Sequence, residues 1–340
     1  MPARKPPMSQ VMQNPRAPHE LQTPYAPIRE DLDRVEELLR AELFSDFPFI
    51  DHLVKHGFRL GGKRLRPALV LLCGKACGPL QAAHHPLAAA VELIHTATLV
   101  HDDVLDEATL RRHLETVNAR WDNETSVLLG DYLFSLAVRL ISSLETMYAV
   151  QAVSEACRAV CQGELRQVAT RGDFDLSESC YLDIIADKTA ALCACCCRLG
   201  SHYAGGAVEA QDALARFGRQ LGIAFQIVDD LLDVLGDEAK TGKSLGTDVL
   251  KQKPTLPLIR LLSQSGAKDR AEILSLVAQP DRAGSAGLRH WLDRSDAIVY
   301  SRQMAKGCIE RAIRELEILP PSAAVDSLRG IAEFVVTRQV

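Results

Sequence analysis

Asp102-Asp103-Val104-Leu105-Asp106 and Asp229-Asp230-Leu231-Leu232-Asp233 share one pattern, DDxxD, and each closes a strongly apolar run. Those runs read as helix, and on a helix the first and last aspartates of each set lie one turn apart on one face. Three carboxylates crowded there repel one another and resist burial unless something cationic compensates. Magnesium, a hard cation that shares its coordination with phosphate oxygens, is the natural compensator. A single cluster of this kind is compatible with a solvated helix face. Two, each embedded in apolar sequence, favour a metal–diphosphate site.

Composition fits a helical fold. Hydrophobic residues make up 47% of the 340 positions and aromatics only 5%, so the core is aliphatic and rich in alanine, a strong helix former. With 39 basic and 44 acidic residues the net charge is −5, which argues against a nucleic-acid surface. No continuous uncharged run reaches the roughly 18–20 residues of a transmembrane helix. The first twenty residues lack the apolar centre of a secretory signal, so a cytoplasmic location is expected. A lipid product would still allow transient membrane contact. The ten cysteines include pairs one turn apart, Cys73 with Cys77 and Cys157 with Cys161, and the cluster Cys193, Cys195, Cys196 and Cys197. They sit inside apolar helical stretches without the loop-bracketed spacing of zinc sites, so they read as small buried hydrophobes.

Residues 1–27 carry seven prolines (2, 6, 7, 15, 18, 24 and 27) and no helical period, and read as a disordered or loosely attached arm. Residues 28–340 read as one all-helical domain. PALVLLCGKACG opens with Pro67 in a first-turn position and stops at Gly78-Pro79. LAAAVELIHTATLVHDDVLD is apolar nearly all round and predicts a buried helix. Gly218 and Gly222, four apart before the second acidic cluster, permit close helix packing. Gly242, Gly246, Pro254 and Pro257 predict a loop. No alternating strand pattern stands out.

Basic residues accompany the aspartates. Gly61-Gly62-Lys63-Arg64-Leu65-Arg66-Pro67 sets a flexible turn before a helix, with Lys63 and Arg66 three apart, suited to diphosphate capture. Arg111 and Arg112 follow the first cluster, and Lys243 and Lys253 lie in the loop after the second.

Taken in order, GGKRLRP, IHTATLVHDDVLDEATLRR, LLGDYLFS, QGE, DKTA, FQIVDDLLD, GKSLGTD and KPTLP resemble the motifs of the trans-isoprenyl diphosphate (polyprenyl) synthase family over residues 28–340. The resemblance implies an all-α helical bundle around a central cavity, usually a homodimer. It also implies elongation of an allylic diphosphate by isopentenyl diphosphate, with three Mg2+ ions per site. On that basis Asp102, Asp103 and Asp106 hold magnesium from one wall and Asp229, Asp230 and Asp233 from the facing wall. Arg111 matches the allylic-diphosphate arginine. Lys63, Arg66, His95 and Arg112 match the isopentenyl-diphosphate pocket, and Lys188, Thr189, Gln226, Lys243 and Lys253 line the allylic side.

Two departures stand out. His113 replaces a usual glycine, with Leu114-Glu115 in place of a commonly basic, proline-containing stretch. Gln252 replaces the glycine before Lys253. Both bear on loop flexibility around a diphosphate. Ala97 and Thr98 lie five and four residues before Asp102, roughly 6–7.5 Å along the helix, where bulky aromatics would stop a growing chain. Small residues there predict a long-chain product, with Tyr132, Phe134 or another residue as the floor. A short-chain farnesyl or geranylgeranyl diphosphate synthase is the main alternative. A terpene cyclase should lack the second DDxxD, and a non-catalytic regulatory subunit should have lost aspartates or arginines that are all present here.

Overall fold

The computed structural model describes residues 21, 23–59, 62–235, 251–279 and 282–337. These form an almost wholly helical bundle. Its first half comprises α1 (Arg29–Glu42), α2 (Pro48–Arg59), α3 (Leu65–Cys77), α4 (His84–Leu105), α5 (Val117–Arg120), α6 (Asn123–Ser142) and α7 (Tyr148–Ala169). Then come α8 (Glu178–Ile185), α9 (Ala191–Tyr203), α10 (Val208–Leu235), α11 (Leu256–Gln264), α12 (Ala267–Val277), α13 (Arg282–Arg294), α14 (Ala297–Glu315) and α15 (Ala323–Thr337).

α4 is the central helix, buried from Leu87 through Ile94 and again at Thr96, Ala97 and Val100, in line with its all-round apolar sequence. α6 runs back along it, with Ser126 Oγ donating to Val100 O at 3.3 Å. Asp122 caps α6 by accepting the Thr125 N–H at 2.6 Å. Glycine sets the closest packing elsewhere. A Cβ at Gly218 of α10 would stand 2.6 Å from Cys193 O, and one at Gly222 would stand 2.5 Å from Ala190 Cα. Arg64 ties three helices together from the N-terminus of α3, pairing with Glu36 of α1 and Glu92 of α4 while its guanidinium lies over the Phe58 ring. All ten cysteines are thiols, six of them buried. Burial pushes Cys195 up to about 12 and Cys157 to about 11, so both behave as apolar filler.

Two expectations need adjusting. Among the described residues one short hairpin is present, Leu110–Arg111 paired with Leu114–Glu115, and two-residue strands are too short to show alternation. The proline-rich arm was bounded at residue 27. Residues 1–20 lie outside the described residues, but Leu21 is 1% and Tyr25 4% exposed, and Ala26–Ile28 form a 3-10 turn. Tyr25 OH donates to Lys63 O at 2.9 Å, and Lys75 Nζ donates to Pro27 O at 2.6 Å. The packed chain therefore begins before Ile28, because the aromatic and the leucine among the prolines find core to join. Tyr25→Ala should cost about 3 kcal/mol in urea unfolding, the usual scale for a buried aromatic truncation. A chain starting at Ile28 should melt below the full-length protein by a comparable margin, and equal melting would show that Leu21 and Tyr25 contribute nothing.

Candidate diphosphate and metal site

Both acidic clusters lie at helix C-terminal ends. Asp102 and Asp103 occupy the last turn of α4 and Asp106 follows it, while Asp229, Asp230 and Asp233 lie in the last two turns of α10. Helix C-termini carry partial negative charge, which deepens the need for cations.

The first cluster meets that need with basic side chains. Asp103, 1% exposed, accepts Arg111 Nε at 2.9 Å on Oδ1 and 3.2 Å on Oδ2, with Arg111 Nη2 2.8 Å from Oδ1. Asp106 has Lys253 Nζ 3.1 Å from each oxygen and Lys251 Nζ 3.3 Å from Oδ1. Burial pushes Asp106 up, but Lys253 and Lys251 outweigh it and hold the carboxyl below the ordinary range. Asp102 is different. Burial, with Glu164 and Asp106 nearby, raises it to about 6 against the opposing charges of Lys188 and Arg111.

A widened π-helical turn, Ala186–Ala190, links this wall to the other. Such turns recur at functional sites because they displace a helix face locally. Here two adjacent residues serve opposite clusters. Lys188 Nζ lies 4.0 Å from Asp102 Oδ2 and is held by Glu164 at 2.5 Å and Gln167 at 2.7 Å. Thr189 Oγ1 donates to Gln226 Oε1 at 2.8 Å, and Gln226 Nε2 donates to Asp230 Oδ1 at 2.8 Å. Tyr181 OH donates to the other Asp230 oxygen at 2.6 Å. Gly163 makes this possible, since a Cβ there would stand 2.4 Å from Lys188 N. Arg111 feels Asp102 and Asp229 as well as Asp103, so its charge spans both clusters.

A second basic group surrounds His95. Burial and the charges of Arg66, Arg111, Arg112 and Arg64 drive the imidazole well below its ordinary value, so it is neutral at physiological pH. Arg112 lies against Gly62, where a Cβ would meet its Nη2 at 2.1 Å. Arg66 Nε is buried with no hydrogen-bond partner among the described residues. Lys63 Nζ lies 4.9 Å from the Phe334 ring centroid. Lys243 lies outside the described residues.

The departures from the family pattern have a backbone signature. His113 has φ 63° beside Arg112 at 52°, forming the hairpin turn, and Gln252 has φ 53°. Both stand where the family resemblance implies glycine, and at such positive φ glycine is conformationally free while other residues are strained. Both predicted chain-length positions lie on α4. Ala97 is buried, and half-buried Thr98 turns its hydroxyl back onto His95 O at 2.8 Å. Phe134 is corrected: it is 41% exposed on the outside of α6, so within one chain it is no floor, whereas half-buried Tyr132 packs on the core.

Glu164, Gln167, Tyr181, Lys251 and Arg171 were missed as site residues. QGE carries Glu164 in plain view. The others follow no spacing rule, because tertiary packing alone brings them to the clusters.

The donor set suits a hard divalent cation only in company. Among the described residues no three His, Cys, Asp or Glu side chains are arranged to hold a metal by themselves. Arg111 covers Asp103, and Gln226 with Tyr181 covers Asp230. Carboxylates so occupied can each give part of a coordination shell, leaving phosphate oxygens to supply the rest. Asp102, raised chiefly by burial, is a group that such positive charge would stabilise. A carboxyl titrating near 6 when folded but 3.8 when unfolded destabilises the fold above both values and costs nothing below 3.8. Asp102→Asn should therefore stabilise the metal-free protein at pH 8 by up to roughly 3 kcal/mol, with the gain closing below pH 4. Thermal melts across that range check it.

Comparison with known proteins places this geometry. The chain matches the polyprenyl synthetase family over residues 47–289. It is 35% identical to an all-trans-nonaprenyl-diphosphate synthase (geranyl-diphosphate specific) of Rhodobacter capsulatus, covering 92% of this chain and 96% of that protein. It is 34% identical to a short chain isoprenyl diphosphate synthase of Methanothermobacter thermautotrophicus, covering 92% and 94%. Among solved structures it is similar to polyprenyl synthase from Caulobacter crescentus complexed with calcium and isoprenyl diphosphate. That similarity has a TM-score of 0.90 and 33% identity, over 94% of this chain and 98% of that one.

Proposed function

The chain belongs to the polyprenyl synthetase family, and on that premise we propose that it condenses isopentenyl diphosphate head-to-tail with an allylic diphosphate, releasing a long all-trans polyprenyl diphosphate. One observation carries the site assignment. Lys188 and Thr189, consecutive in the π turn, reach Asp102 on one wall and, through Gln226, Asp230 on the other. A diphosphate held between the walls would meet both carboxylate sets and the cations around them.

Asp102, Asp103 and Asp106, with Asp229, Asp230 and Asp233, would hold magnesium ions, three by family resemblance. Bound magnesium supplies the positive charge that phosphate oxygens and these carboxylates share. Lys188, Arg111, Lys253 and Lys243 orient the allylic diphosphate and stabilise the charge that grows on it as the carbon–oxygen bond breaks. Lys63, Arg66 and Arg112 bind the second diphosphate, and His95, held neutral, offers a hydrogen bond without adding charge. The double bond of isopentenyl diphosphate attacks the allylic carbon, and the departing diphosphate takes the proton. Leu93, Ile94, Ala97 and Val100 line α4 with hydrocarbon, which keeps water from quenching the cation.

Relatives of nearly equal identity make long and short products, so product length rests on the α4 path. Phe or Tyr at Ala97 or Thr98 would narrow that path while leaving the diphosphate residues intact. Chromatography of dephosphorylated products from labelled isopentenyl diphosphate and farnesyl diphosphate tests the reading. Wild type should extend well past four isoprene units, and Ala97→Phe should stop at roughly fifteen to twenty carbons, about one to two helical turns below the metal. A wild type that stops there itself would make this a short-chain synthase.

We also propose a homodimer. Val127, Leu128, Phe134 and Val138 form an exposed apolar stripe along the outer face of α6, with Leu128 60% exposed. A cytoplasmic location is the matching proposal, because α6, apolar enough to cross a bilayer, buries its inner face on α4 and carries Glu124, Asp131 and Arg139. Leu128→Glu should convert the dimer to monomer in light scattering while circular dichroism holds. A wild type that is already monomeric would refute the pairing.

A further inference from the structure

Arg171 lies in the turn after α7 and belongs to none of the motifs above. Its Nη2 stands 3.5 Å from Asp106 Oδ1. Its Nε and Nη2 are nevertheless shielded from solvent and hydrogen-bond to nothing among the described residues. A guanidinium presents its donors as a rigid fork matched to two oxygens of a carboxylate or phosphate, and shielded donors without acceptors are costly to keep.

The turn is held in place. Gly172 N–H donates to Gln252 O at 2.9 Å, with Gly172 at φ 76° and Gln252 at 53°. This bond joins the Arg171 turn to the Lys251–Lys253 corner as one unit beside Asp106. A simple ion pair with Asp106 does not account for the arginine. Lys253 is 3.1 Å from both carboxylate oxygens and Lys251 is 3.3 Å from Oδ1, whereas 3.5 Å exceeds the length of a charge-assisted hydrogen bond. Asp106 is thus already served, and the fork next to it has no hydrogen-bond acceptor among the described residues.

We propose that Arg171 is a further ligand of the allylic diphosphate, its fork taking phosphate oxygens when that group lies between the two aspartate clusters. The inference rests on the diphosphate reading of those clusters. It gives the site a two-oxygen donor on the Asp106 side, where Lys251 and Lys253 act as point charges. Gln252, in its left-handed conformation, supplies the carbonyl that anchors the turn.

Calorimetric titration of the full-length protein with inorganic diphosphate in excess magnesium tests the inference. Arg171→Gln should weaken the Kd about tenfold, the loss expected for charge-assisted donors, and Arg171→Lys should recover only part of it. In steady state Arg171→Gln should raise KM for farnesyl diphosphate about tenfold and leave KM for isopentenyl diphosphate within about twofold. A purely structural arginine would shift the melting temperature without separating the two KM values. Binding and KM unchanged in Arg171→Gln, or both KM values raised alike, would overturn the inference alone. A wild type that bound no inorganic diphosphate would overturn it together with the reading beneath it.

Discussion

Burying a carboxylate without a cation costs more than a marginally stable fold can carry, and this chain puts carboxylates at the ends of two apolar helices. The architecture around α4 and α10 answers that cost. Arg111 closes on Asp103 through three contacts, Lys253 and Lys251 close on Asp106, and Lys188 reaches toward Asp102 while Glu164 and Gln167 hold it. Asp230 accepts hydrogen bonds from the Gln226 amide and the Tyr181 hydroxyl.

The cations on the first wall have a chemical use. Cations parked on carboxylates are already in place when a diphosphate arrives, so little reorganisation is needed at the moment of bond breaking. Asp102, a carboxyl held above its ordinary value by burial, pays for this readiness in stability. The other buried charge network, Arg64 with Glu36 and Glu92, has no such vacancy. Arg64 is the N-cap residue of α3 and its partners come from α1 and α4, so the network locks those three helices in register.

Close backbone approach is the second constraint. Gly163 lets α7 meet the π turn, and Gly218 and Gly222 let α10 meet α9 and that same turn. Without these glycines Lys188 and Thr189 would be displaced from the walls they serve. Among the corners where non-glycine residues hold positive φ, two carry His113 and Gln252, without glycine's freedom. Each corner sits beside a basic residue of the site, so the strain is held by the hairpin and by the Gly172–Gln252 bond.

Much of this was legible in the residues. Apolar period announced α4 and α10, DDxxD marked their charged ends and GGKRLRP a basic turn, because each signal is local and on the scale of a helical turn, whereas DKTA stood out only through its resemblance to a family motif. The proline-rich arm misled at its end, since composition weighs seven prolines but not the burial of Leu21 and Tyr25. Phe134 misled because an aromatic near the right depth can face either way on α6, and only packing chooses. Tyr181 and Arg171 were invisible, being 49 and 65 residues from the aspartates they approach. The sequence by itself determined an all-helical chain with two acidic clusters in need of cations, since both follow from short-range period and charge. Tertiary structure alone decided which cation or hydroxyl meets each carboxylate, because those partners are chosen by the crossing of distant helices.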